Sequence, residues 1–183
     1  MLYRSPGQQS AIDVLREAAV RLEYLQLLAG EFQRSPDILR KEEVVANLAN
    51  FTTDPIKYGS LARLRILDLF LDILDADQEH KMVEISLGSI CNCIPDPTLQ
   101  QQVIDGEGID IISPYILDFG AQRSVLTTAY FLLDSSAFAD ITAQRFMTKM
   151  RALQQHSIVQ VANAAAAFLS RNQELHNLRS IQL

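Results

Sequence analysis

A chain of 183 residues with 48% hydrophobic side chains is long enough for one domain or one short repeat array, and too apolar to stay disordered. Its 7 glycines and 6 prolines are too few for the turns of a β-sandwich, while the abundance of Leu, Ala, Gln, Glu and Arg favours helix. A net charge of −6 speaks against a protein that grips phosphate backbones through clustered Lys and Arg, and suits a basic partner instead.

In chain order, residues 1–9 form a polar stretch without the apolar segment of a secretory signal, and are expected to be a flexible tail. Residues 11–32 read as one amphipathic helix, with Ile12, Leu15, Ala19, Leu22 and Leu25 at three- and four-residue spacing and Ser10 as its cap. Ser35-Pro36-Asp37 interrupts that pattern, and a second helix is expected over 38–52. Pro55, Pro95, Pro97 and Pro114 all fall at plausible helix boundaries, and no segment sustains period-two alternation. No apolar run approaches the ~18 residues of a membrane span, so a soluble protein is expected. Cys91 and Cys93 lie two apart, which on a helix points their sulfurs about 200° from each other. They cannot pair with each other, no second Cys or His pair stands at zinc-finger spacing, and they read as small packing residues of a reduced, intracellular protein.

Internal repetition decides the architecture. The segment Asn50-Phe51-Thr52-Thr53-Asp54-Pro55 aligns with Asn92-Cys93-Ile94-Pro95-Asp96-Pro97, 42 residues on. Fainter copies place Tyr130 and Phe168 at the same position, each 38 residues after its predecessor. A period near 40 in an all-helical chain points to armadillo or HEAT repeats. Gly88-Ser89-Ile90-Cys91-Asn92 and Ala46-Asn47-Leu48-Ala49-Asn50 resemble the third helix of an armadillo repeat, where a small residue and a groove-facing Asn lie four apart. Residues 103–109, with Gly106 and Gly108, resemble the glycine-bearing turn between the first and second helices of such a repeat. The expected fold is therefore all-α: an armadillo-like right-handed helical solenoid of about four repeats over residues 10–183, with an N-terminal capping helix. Third helices should end near Phe51, Ile94, Leu133 and Leu169.

Stacked third helices line the concave face of such an array, so Asn50 and Asn92 are candidates for binding the backbone of an extended partner. An amide offers both donor and acceptor without the desolvation cost of a charge. The alternative is that each Asn closes its helix before the Asp-Pro turn. Asn47, one turn earlier, widens the contact or caps locally. Tyr130 and Phe168 are aromatic anchors for the partner or ordinary core. The carboxylates Asp68, Asp72, Asp75, Asp77, Glu79 and Glu84 form a solvated face or, with Glu84 as the candidate contact, an acidic rim for a basic segment. His80, His156 and His176 are scattered, no nucleophile sits in a recognisable elbow, and phosphate-cradling glycine loops are absent. Residues 105–110 fail the EF-hand pattern. No metal, cofactor, small-molecule substrate or enzymatic activity is expected.

Closer still, Leu22-Glu23-Tyr24-Leu25-Gln26, Glu31-Phe32-Gln33, residues 45–51, Asp54-Pro55 and Leu67-Asp68-Leu69-Phe70-Leu71-Asp72 together resemble the armadillo repeat-containing protein 7 family. The similarity is dense from Leu22 to about Pro97 and thins beyond Gly108. The resemblance implies a nuclear, non-enzymatic scaffold that binds an RNA-recognition-motif protein within the minor spliceosome and so supports pre-mRNA splicing. A cytoplasmic armadillo adaptor or folding cofactor shares the same scaffold, and a direct RNA-binding helical repeat protein shares the period.

Overall fold

The computed structural model describes residues 6–76, 79–118 and 120–181, and among these every regular element is helical. A long helix α1 (Pro6–Arg34) turns back into α2 (Ile38–Ala49), and the two pack as a pair. Three units of three helices follow. The first holds α3 (Tyr58–Arg63), α4 (Ile66–Asp75) and α5 (His80–Cys93). In the second, α6 (Pro97–Asp105) leads to α7 (Gly108–Ile112), which a 3-10 turn (Ser113–Leu117) prolongs, and then to α8 (Gln122–Leu132). The last comprises α9 (Phe138–Ile141), α10 (Gln144–Leu153) and α11 (Val159–Ile181). One helix pair and three full repeats make an all-helical armadillo-type solenoid, with α1 closing its N-terminal end. The third helices stack in series: α5 packs between α2 and α8, and α8 packs against α11.

Aspartate sets the starts of these units. Asp37 accepts from the Leu39 amide at 3.0 Å and Asp54 from the Ile56 amide at 3.1 Å, while Asp96 accepts from the Thr98 and Leu99 amides, both at 3.0 Å. Each caps amides that have no partner within the helix. Pro55 and Pro97 follow their caps, where the missing proline N–H costs nothing. The Asp-Pro repeat read from the sequence is thus a repeated helix start. Between the first and second helices the chain turns through a left-handed residue, Arg65 at φ 51° and Glu107 at φ 57°. The glycine-bearing turn expected at 103–109 places that conformation on Glu107, not on a glycine. Gly108 is needed for closeness instead, because a Cβ there would lie 2.6 Å from the Val103 carbonyl oxygen.

Several sequence expectations are corrected here. Helix α1 begins at Pro6, so residues 6–9, read as tail, are helical, and Ser10 lies inside the helix without capping it. Residues 1–5 lie outside the described residues. The apolar stripe of α1 is buried only at Leu25 and Leu28, while Leu15 is exposed, because the 29 residues of α1 overrun the 12 of α2. Third helices end at Ala49, Cys93 and Leu132, close to expectation, but α11 continues past Leu169 to Ile181. Residues 170–181 contain neither Gly nor Pro, and Leu175 is buried, so nothing stops that helix.

One core runs from Leu25 to Leu175, and α4 shows how it is made. Its Ile66, Leu67, Leu69, Phe70, Leu71, Ile73 and Leu74 are all buried, and only Asp68, Asp72 and Asp75 turn outward at i, i+4 and i+7. Side chains of this size contribute about 1.5–3 kcal/mol each when buried. Hydrogen bonds roughly one repeat apart then fix the stacking. Gln102 donates to the Ala62 carbonyl (2.7 Å, 40 residues apart) and Tyr115 to the Leu74 carbonyl (2.6 Å, 41 apart). Lys81 donates to Glu42 (2.6 Å, 39 apart), and Arg171 binds Asp134 (3.0 Å, 37 apart).

Candidate functional site

Burial fixes how the third helices correspond. Leu48, Ile90, Ala129 and Phe168 occupy one buried position at steps of 42, 39 and 39 residues. Two residues further on, Asn50, Asn92, Phe131 and Ser170 are all exposed. That series is a ladder with one rung per repeat. Beside it run Ala49, Cys91, Tyr130 and Leu169, and one turn earlier lie Ala46, Gly88 and Thr127, so much of the floor is built of small side chains. A Cβ added at Gly88 would meet nothing within 4 Å, which marks that part of the floor as open.

The candidate residues separate on this frame. Asn50 follows α2 with its backbone amide bonded to the Ala46 carbonyl at 3.2 Å, while its side chain faces solvent. Its amide group has no hydrogen-bond partner among the described residues. Asn92 is tied down: its Nδ2 donates to Thr52 Oγ1 at 3.3 Å, and Thr52, fully buried, donates in turn to the Ala49 carbonyl at 2.7 Å. The Tyr58 hydroxyl lies 2.7 Å from the Asn92 carbonyl and 3.2 Å from that of Thr52, closing a network across two third-helix ends. Burial, chiefly, holds the Tyr58 hydroxyl above its ordinary pKa, as a proton donor.

Asn47 is exposed but stands off the ladder. Its counterpart Ser89 is buried beneath the preceding third helix, whereas no described repeat covers α2 on that side. Tyr130 is 37% exposed and meets Phe131 edge-to-face, with ring centroids 6.1 Å apart. Phe168, expected at the same position, is a correction: it is fully buried against Phe146, centroids 5.7 Å apart. The cause is a slip of one residue, which rotates a side chain about 100° around a helix. With steps of 39 instead of 38, Tyr130 corresponds to Cys91 and Phe168 to Ala129. Phe131, which the sequence reading missed, is the aromatic rung. The alternation of buried positions in residues 86–94 and 125–133 was the signal that could have found it.

The acidic run divides among different faces. Asp68 pairs with Arg65 at 2.5 Å, and with Asp72 and Asp75 it lies on the outer face of α4. Asp77 lies outside the described residues. Only Glu84 lies in line with the ladder, one turn before Gly88, with its carboxylate 3.4 Å from His80 Nε2. Gly120 approaches it so closely that a Cβ there would run into the carboxylate. Burial pushes the Cys91 thiol above its usual pKa, against smaller opposing effects of hydrogen bonds to Thr127 and Thr128. Cys93, fully buried, is raised to about 12, again mainly by burial and further by Asp96. Thiols held neutral make poor nucleophiles and metal ligands. Among the described residues, no three His, Cys, Asp or Glu side chains converge as metal ligands would.

No family model matches the chain. Armadillo repeat-containing protein 7 of Mus musculus is 46% identical to it over 71 residues, which is 39% of this chain and 35% of the mouse protein. The match therefore spans about a third of that relative's length, and over it the resemblance to the armadillo repeat-containing protein 7 family is shown. Among solved structures, a designed armadillo repeat protein in complex with the peptide (KR)4 superposes with a TM-score of 0.69. That likeness covers 86% of this chain and 66% of the designed protein, at 15% identity, and carries the fold alone.

Proposed function

We propose that this chain is a protein-binding scaffold that lays an extended segment of its partner along the ladder Asn50, Asn92 and Phe131. The observation that carries the reading is the ladder itself: exposed side chains at one position of successive third helices, over a floor of small residues. An extended backbone presents N–H and C=O groups along its length, and the free amide of Asn50 can bond either. The designed neighbour, whose partner is the peptide (KR)4, supports the mode. Glu84 on the ladder line and the net charge of −6 favour a basic segment. The resemblance to armadillo repeat-containing protein 7 supports the finer reading. The partner is then an RNA-recognition-motif protein of the minor spliceosome, and the site of action is the nucleus.

Replacing Asn50 and Asn92 together by Ala tests the groove. Each lost amide leaves partner groups unpaired, at about 1–3 kcal/mol apiece. Titration of such an RNA-recognition-motif protein should therefore show weaker binding. Melting of the free Asn50→Ala variant should be unchanged, whereas Asn92→Ala should melt slightly earlier through loss of its bond to Thr52. A double variant that binds as tightly as the native chain would remove the partner from this face. Affinity purification from nuclear extract that returned cytoskeletal proteins and no splicing proteins would overturn the splicing assignment.

A further inference from the structure

The two ends of the solenoid are finished differently. At the C-terminal end, α10 and α11 turn Gln144, Thr148, Arg151 and Ser170 to solvent, as a terminal repeat must where water replaces a neighbour. The N-terminal end is not finished this way. There α1 exposes Val20, Tyr24 and Leu27 to 62%, 46% and 61%, an i, i+4, i+7 stripe on the side away from buried Leu25 and Leu28. Phe51 extends the stripe, its ring 5.9 Å from that of Tyr24, and a groove of about 490 Å³ lies along them. The next second helix, α4, leaves no large apolar side chain so open.

We propose that this face is an isologous interface between two copies of the chain, formed by antiparallel α1 helices crossing near Val20. Charge pattern selects a second copy over an unrelated partner. Most of the protein is acidic and repels itself, but Arg16 and Arg21 on α1 interleave with Glu17 and Glu23. In an antiparallel pair centred between residues 19 and 20, Arg16 of one copy faces Glu23 of the other, and Glu17 faces the neighbourhood of Arg21. Two-fold symmetry makes each contact twice. Arg16 also comes beside the exposed ring of Tyr24, where a guanidinium gains a cation–π contact. The face is separate from the Asn50–Phe131 ladder, so the groove stays open in the dimer.

Sedimentation equilibrium of the full chain over about 1–100 µM, the range of modest interfaces, tests this. The native chain should sediment as a dimer at the upper end. Val20→Glu should be monomeric with unchanged helicity, while Leu117→Glu, at a site 60% exposed on another face, should dimerise normally. Arg16→Glu should weaken the dimer by about tenfold, since each copy exchanges an attraction for a repulsion. Adding Glu23→Arg to Arg16→Glu should restore it. A native chain monomeric throughout, a Val20→Glu variant as dimeric as the native chain, or a charge swap that fails to restore association each overturns the proposal.

Discussion

Replacing Phe168 by Ala tests the correspondence of the third helices from which the ladder is built. The ring is fully buried and packs at 55° against Phe146, itself only 3% exposed. Phe→Ala in a core removes the transfer energy of the ring and leaves a cavity, together about 3–5 kcal/mol. The aromatic pair contributes about 0.5–1.5 kcal/mol within that loss. Against a typical total stability of about 5–15 kcal/mol, such a loss shifts the urea midpoint far down. Tyr130→Ala removes a ring 37% exposed whose aromatic neighbour, Phe131, is exposed as well, and should cost about 1 kcal/mol or less. Urea unfolding followed by circular dichroism reads both. If Tyr130→Ala proved the costlier of the two, the 39-residue step would be wrong, and with it the assignment of Phe131 as a rung.

Two further outcomes follow from local geometry. Glu107 holds φ at 57°, a conformation that costs a side-chain-bearing residue about 1–2 kcal/mol, so Glu107→Gly should raise the melting temperature; a lower one refutes strain at this corner. Cys93, raised to about 12 by burial, favours the protonated thiol in the folded chain, so its contribution to stability is complete below the unfolded value of 9.0 and fades as pH climbs from about 9 to about 12. Native alkylation at pH 8 should therefore leave Cys93 unlabelled until urea is added, and prompt labelling would contradict its burial.

The class of fold was legible because its signals are local. Asp54-Pro55 and Asp96-Pro97 are helix starts whose physics lies in a few adjacent residues, and their 42-residue separation marked the repeat. The later repeats were harder to align. The third helices there correspond at 39 residues, Asp-Pro does not recur, and the first helix of the last repeat shrinks to the four residues of α9. Without those markers a step of 38 looked as good, and Phe168 was moved from core to surface. The role of Asn92 was illegible for another reason. Its bond to Thr52 joins residues 40 apart, and whether an amide faces solvent or a neighbouring repeat depends on how closely the repeats stack. Likewise Leu15 continues the apolar stripe of α1, but nothing in its own segment says that α2 ends too soon to cover it.

The same network gives the proposed groove a direction. Asn92 and Tyr58 lock the ends of α2 and α5 together through Thr52, so the middle rung is held in place before any partner arrives. Groups already ordered lose little further freedom on binding, which favours affinity. The rungs are not alike. Asn50 offers a free amide, Asn92 an amide already engaged by Thr52, and Phe131 with Tyr130 an aromatic pair. Glu84 lies to one side, a turn before the open floor at Gly88. A segment laid along this series meets hydrogen-bonding groups at one end and apolar rings at the other, and reversing it exchanges the two. On the binding mode proposed above, a partner segment with a hydrogen-bonding end and an apolar end fits in one orientation and is rejected in the other, because the reversed segment would bury unpaired polar groups on the rings.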